Sequence, residues 1–88
     1  RNMLKGTTKS GFRYEITTER LNNFELVEIL SEVDENPLLL PKVLNLLLGE
    51  RQSKNLKNYL RDEEGLVSTD KIRETIEDIF AAQNKIKN

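Results

Sequence analysis

The stretch PLLLPKVLNLLL, residues 37–48, is the most apolar part of the chain and decides its fold. Pro41 fits the first turn of a helix and Gly49 fits the position just past its end, so we predict a short helix over residues 41–48. Its apolar side chains cover an arc of about 200° on a helical wheel, whereas a surface helix needs roughly 100°. The arc consists of Leu40, Val43, Leu44, Leu46, Leu47 and Leu48.

Two interpretations of this arc are open. In the first, the helix is central, and a hairpin and the other helices cover it on several sides. In the second, part of the arc stays exposed as a docking or self-association patch. Phe24, opposite the apolar stripe of the preceding predicted helix, extends that patch. The candidate protein-binding residues are Phe24, Leu38, Leu39, Leu40, Val43, Leu46 and Leu47.

Residues before and after the stretch predict a small α+β fold. Phe12, Tyr14 and Ile16 alternate with charged residues, which predicts a β-hairpin over residues 3–16, with Gly11 taking positive φ in its turn. Helices are predicted over residues 22–35, 41–48, 50–63 and 69–83, and a frayed tail over 84–88. We therefore expect one domain, 1–88, mostly helical, with an N-terminal β-hairpin followed by four short helices (ββαααα).

The first predicted helix has a recognisable start and end. Asn22 as N-cap places Glu25 at the third helical position of a capping box, and Leu21 and Leu26 where a hydrophobic staple forms. The helix ends before Pro37, because a residue that precedes proline avoids the helical region.

The composition excludes several classes of site. The chain has no His and no Cys, which removes zinc sites of the usual type, disulfides and imidazole-activated nucleophiles. Paired acids such as Glu28 with Glu32 are typical of a solvated helix surface. The run Asp62-Glu63-Glu64-Gly65 lacks the spacing of an EF-hand and indicates a helix end that enters a glycine turn. We therefore expect a protein that is not an enzyme, with no catalytic residues, cofactor or metal.

Charge and hydropathy restrict the partners. The net charge is −1, which argues against binding nucleic acid through phosphate neutralisation. The apolar stretch is shorter than the roughly 20 residues that cross a membrane. Because there is no Cys and no visible signal peptide, we expect a cytoplasmic protein.

The charges are also unevenly distributed along the chain. Residues 21–41 contain no Lys or Arg but carry five acidic side chains, whereas the third predicted helix is basic. Its cations are Arg51, Lys54, Lys57 and Arg61. Such a face is usually only solvated, but it also suits an acidic protein partner, including a second copy of this chain.

Two segments resemble a known family. The chain resembles phage tail assembly chaperones in the segment LKGTTKSGFRYE, residues 4–15, and in the segment NPLLLPKV, residues 36–43. The Leu48-Gly49 pair that follows and the closing Lys-Asn are also similar. These are short proteins encoded among the tail genes of long-tailed phages and prophages of Gram-positive bacteria.

The resemblance implies a non-enzymatic helical protein in the cytoplasm of a bacterial host. Such a protein binds the hydrophobic tape-measure protein before the tail tube polymerises, tends to self-associate, and is absent from the finished virion. The resemblance supplies no catalytic residues. The alternative hypothesis is a structural tail or head-tail component that stays in the virion. A small DNA-binding module that uses the third helix is a weaker hypothesis.

Overall fold

An antiparallel hairpin leads into a set of helices in the structure, a computed structural model that describes residues 2–84. This confirms the predicted α+β, mostly helical class. The elements are β1 (Met3–Thr7), β2 (Arg13–Thr17), α1 (Thr18–Leu21), α2 (Phe24–Val33), a 3-10 turn (Pro37–Leu39), α3 (Leu40–Leu60) and α4 (Thr69–Asn84). The predicted frayed tail lies outside the described residues, except for Asn84 at the end of α4. No helix among the described residues has the length and apolar character needed to cross a membrane.

The hairpin packs on the helices through the side chains that alternate along β2. Phe12, Tyr14 and Ile16 are buried, as their alternation predicts, while their neighbours face solvent. Gly11 has φ +99°, and its N–H donates to the Thr8 carbonyl at 2.9 Å to close the turn. The residues between the strands therefore form the predicted tight connection.

A buried tyrosine ties the hairpin to the last helix. Tyr14 is paired with Gly6 across the hairpin, and a Cβ on Gly6 would overlap the Tyr14 hydroxyl. Gln83 of α4 donates through Nε2 to that hydroxyl at 2.9 Å. A glycine at this position thus leaves the room that the ring needs to reach α4.

The first long helix begins one residue later than predicted. Asn23, not Asn22, is the N-cap of α2, and its Oδ1 accepts the Glu25 N–H at 3.1 Å. Glu25 is thus the second helical residue, so the predicted capping box does not form. Asn22 instead ends the one-turn helix α1, which the sequence analysis did not predict. Thr17 begins α1 by accepting the Arg20 N–H at 3.2 Å, and this local cap is what separates α1 from α2.

Helix α3 is broken at Gly49, where φ is 83° and ψ is 168°. The break separates residues 40–48 from residues 50–60, close to the predicted pair of helices. Arg20 of α1 stabilises the end of the first half, because its guanidinium donates to the carbonyls of Asn45 at 3.3 Å and Leu46 at 2.9 Å. These carbonyls lie in the last turn before the break, where partners are otherwise lacking.

The second half of α3 ends at residue 60, short of the predicted residue 63. Arg61 has extended backbone angles, and the Asp62 N–H donates to the Leu66 carbonyl at 2.8 Å. This bond closes a loop that includes Gly65, so the acidic run belongs to the connection and not to the helix.

The leucine-rich half of α3 lies at the centre of the core. Leu40, Val43, Leu44, Leu47 and Leu48 are all buried there. The hairpin, α1, α2 and α4 all contact α3. The candidate binding residues Leu40, Val43 and Leu47 are therefore core residues, and their assignment to an exposed patch is wrong. Because several elements pack around this helix, apolar side chains are needed over an arc of about 200°, wider than the stripe of a surface helix.

We predict that Gly49→Ala destabilises the fold. Its backbone angles are accessible essentially only to glycine, and a side chain there costs about 1–3 kcal/mol of the free energy of unfolding. The new Cβ would also lie 3.1 Å from Nη2 of Arg20 and disturb the cap on the first half of α3. Urea unfolding of the full chain measures the change.

Gly65→Ala is the matched control for this substitution. Gly65 has φ +86°, but a Cβ there meets nothing within 4 Å. We expect Gly49→Ala to lower the free energy of unfolding more than Gly65→Ala does. Equal losses would show that the contact with Arg20 does not stabilise the break.

Candidate protein-binding groove

The structure divides the seven candidate binding residues into three groups. Leu40, Val43 and Leu47 are in the core. Leu39 and Leu46 are half-buried. Leu38 is 86% exposed and Phe24 is 70% exposed. Only Leu38 and Phe24 thus offer a largely free apolar side chain.

Leu38 is exposed because of the 3-10 turn that joins α2 to α3. Leu39 packs against the core and Leu40 is buried within it, so the preceding residue of the tight turn faces outward. The Leu39 N–H donates to the Asn36 carbonyl at 3.0 Å and fixes this geometry. A leucine left in water forgoes about 25 cal/mol for each Å² of apolar surface that burial would remove.

Leu38 lines an apolar groove of about 380 Å³, which we call the Leu38 groove. Its walls come from the start of α3 with the preceding turn, and from the segment that leads into α4. The lining residues are Pro37, Leu38, Leu40, Pro41, Leu44, Asn45, Ser53, Lys57, Val67, Thr69 and Ile72. Such walls give the groove a mainly apolar lining.

The polar groups of the groove are few. Ser53 is buried, and its hydroxyl donates to the Leu44 carbonyl at 3.2 Å, so this polar group does not need a ligand. Lys57 supplies the charged side chain among the lining residues. The groove therefore combines an apolar lining with one positive charge, that of Lys57.

Phe24 lies apart from the groove. Phe24 and Val27 are both exposed on the outer side of α2, one turn apart, and neither lines the Leu38 groove. The structure thus does not join Phe24 to Leu38 in a single groove, as the predicted extension of the patch required.

Sequence reasoning missed the second wall of the groove. Val67 lies in the loop before α4, where no periodic pattern marks it, and Lys57 belongs to the basic face predicted for its helix. Exposed Leu66, beside Val67, adds apolar surface in this loop. No local pattern could place this loop opposite Leu38, because the two segments are brought together only by the packing of α3 and α4.

The acidic run at the end of α3 forms a turn stabilised by its own backbone. Asp62 Oδ1 accepts the N–H groups of Leu66 and Glu64, each at 2.9 Å. These bonds, mainly the one from Leu66, hold the pKa of the Asp62 carboxyl below its usual value. Desolvation of the carboxyl acts in the opposite direction and raises the pKa. Within residues 2–84, no three acidic side chains come close enough to hold a metal ion.

We predict that the Asp62 carboxyl titrates below its ordinary pKa of 3.8. A lowered pKa in the folded state means that the ionised group stabilises the fold above the unfolded-state pKa. This contribution is lost as the pH falls through the lower folded-state value. Carbon-detected NMR titration of the full chain measures the midpoint, and a midpoint at or above 3.8 would contradict the turn. Asp62→Asn keeps an acceptor oxygen and should remove this part of the pH dependence.

Comparison of the chain with protein-family models, curated proteins and solved structures finds no match.

Proposed function

We propose that this chain is a non-enzymatic protein-binding module of the phage tail assembly chaperone type. In this proposal it binds the tape-measure protein in the cytoplasm of the bacterial host during tail morphogenesis. The observation that carries the proposal is the exposed Leu38 at the rim of an apolar groove. The resemblance of residues 4–15 and 36–43 to that family supports the choice of client.

The groove suits a long helical client for two reasons. Its apolar walls accept the apolar side chains that recur every three or four residues on one face of an amphipathic helix. Lys57 at the same groove pairs with a carboxylate on the client helix. Such a pair sets the orientation of the client helix and adds little to the binding affinity. A chaperone that must later release its client needs this kind of limited contact, since larger apolar interfaces are typical of permanent complexes.

Leu38→Asp tests the proposal in bacteria that coexpress the chain with the tape-measure protein that the proposal assigns to it as client. We expect the tape-measure protein to purify with the parent chain, and the amount to fall about tenfold or more with the variant. The reason is that the variant loses an apolar contact and must desolvate a charged carboxylate in an apolar groove. Leu38→Met should retain binding. The substitution should not unfold the chain, because Leu38 is 86% exposed.

Val27→Asp is the matched control, since Val27 is also exposed and lies outside the groove. It should leave binding unchanged. Loss of binding with Val27→Asp but not with Leu38→Asp would move the binding surface to α2 and contradict the groove. Light scattering of both variants shows whether the same surface mediates self-association instead.

A structural tail or head-tail component is the second candidate, and the outer edge of β1 favours it. The bonds from Thr18 N–H to the Asn2 carbonyl and from Thr8 N–H to the Phe12 carbonyl fix the pairing pattern of the hairpin. In that pattern the backbone groups of Met3, Lys5 and Thr7 point away from β2. Within residues 2–84 no hydrogen bond occupies them, so a neighbour's strand could pair there.

Mass spectrometry of purified virions distinguishes the two functions. We expect the chain to be missing from virions but present in lysates of infected cells, because a chaperone leaves before assembly is complete. Recovery of the chain in virions in proportion to a tail protein would favour the structural component.

A further inference from the structure

A second surface of the molecule is a cationic cleft of about 640 Å³ between the hairpin and the second half of α3. Lys5 of β1, Arg13 of β2 and Arg51 of α3 line it, together with one carboxylate, that of Glu15. All four side chains belong to exposed residues. The cleft shares no lining residue with the Leu38 groove.

The three cations have free bonding capacity. Among the described residues, no hydrogen bond or ion pair engages the side chains of Lys5, Arg13 or Arg51. Other exposed cations do have partners: Arg20 donates to the carbonyls of α3, and Arg61 donates to the Gly65 carbonyl at 2.9 Å. The cations of the cleft are therefore available to an anionic ligand.

The floor of the cleft is fixed in place by Gln52. Its side-chain amide accepts the Glu15 N–H at 2.8 Å and donates to the Glu15 carbonyl at 2.6 Å, as a neighbouring strand would. It also donates to the Leu48 carbonyl at 2.9 Å. Because Gln52 occupies the outer edge of β2 here, a ligand cannot add a strand at Glu15, and recognition must use the cationic side chains.

We propose that this cationic cleft binds an acidic segment of a partner protein that presents at least two carboxylates. Arg13 and Arg51 project from different elements, and a guanidinium binds a carboxylate through two parallel N–H groups. Two arginines thus accept two carboxylates of one segment. Lys5 adds a third positive charge, whereas Glu15 lies opposite Lys5 in the hairpin register and limits the excess charge.

An acidic protein segment fits the cleft better than a nucleic acid does. Phe12 and Tyr14 also line the cleft, but both are buried, so neither ring is free to stack on a base. The net charge of −1 and the acid-rich residues 21–41 repel a long polyanion. A short acidic segment engages the cleft locally and avoids that repulsion.

NMR titration of the isotopically labelled full chain with a hexaglutamate peptide tests this proposal at low salt. We expect shifts confined to residues 5–7, 13–15 and 51–55, and binding that weakens strongly as salt is added. Hexaglutamine should cause no such shifts. Absence of shifts with hexaglutamate, or shifts spread over all lysines, would overturn the proposal.

The double variant Arg13→Gln and Arg51→Gln should weaken peptide binding about tenfold or more, because two charge-assisted contacts are lost. The double variant Lys42→Gln and Lys71→Gln makes the same change of charge outside the cleft and should have little effect. An equal loss in both variants would mean that only net charge matters, which overturns the proposal. Leu38→Asp should leave peptide binding intact. The experiment therefore distinguishes failure of the proposal for the Leu38 groove from failure of the proposal for this cleft.

Two further outcomes would reassign the surface. Tighter binding of a single-stranded oligothymidylate than of the peptide at equal salt would make it a nucleic-acid site. Concentration-dependent dimerisation without peptide, lost in the Arg13→Gln and Arg51→Gln variant, would make the occupant the acidic segment of a second copy. Either result would overturn the assignment to a partner protein.

Discussion

The break of α3 at Gly49 is the constraint on which the rest of the structure depends. One side of it is a helix so apolar that it must be surrounded, and the other side carries the basic residues that must remain in water. A continuous helix would keep the two halves on one axis, whereas the positive φ of Gly49 lets residues 40–48 enter the core while residues 50–60 run along the hairpin. Arg20 supports this arrangement from α1 by donating to the last carbonyls of the apolar half.

Those parts of the fold that rest on strong local patterns were predictable. The alternation of Phe12, Tyr14 and Ile16 placed the hairpin, and Pro41 and Gly49 placed the central helix. The errors concern short elements. The spacing to Glu25 favoured Asn22 as the cap, but the structure uses the adjacent Asn23 because Thr17 begins a separate turn that ends at Asn22. The sequence pattern does not reveal that turn. The 3-10 turn before α3 lacks a periodic signal because it is a single turn.

The candidate site was predictable in composition but not in geometry. Most of the surplus of leucine is explained by the central-helix interpretation, because four of these leucines are buried together with Val43. A helical wheel counts apolar positions, but the number of neighbouring elements decides how many of them are covered, and here that number is large. The surface that remains exposed therefore lies at Leu38, before the helix, and its opposite wall is contributed by a loop near Val67.

The two surfaces follow from the same division of the chain. Acidic side chains collect where no Lys or Arg occurs, at residues 21–41, so the start of the apolar half faces an acidic helix. The cations collect on the other side of the break and beside the hairpin, where the Gln52 side chain occupies the strand edge at Glu15. In the two proposals, the Leu38 groove contributes mainly apolar contact, with Lys57 as its charged residue, and the cationic cleft contributes charge contact. Residues 50–60 of α3 line both surfaces, Arg51 the cleft and Lys57 the Leu38 groove. This half of the helix would therefore set the distance at which a partner must present an apolar helix and a separate acidic segment.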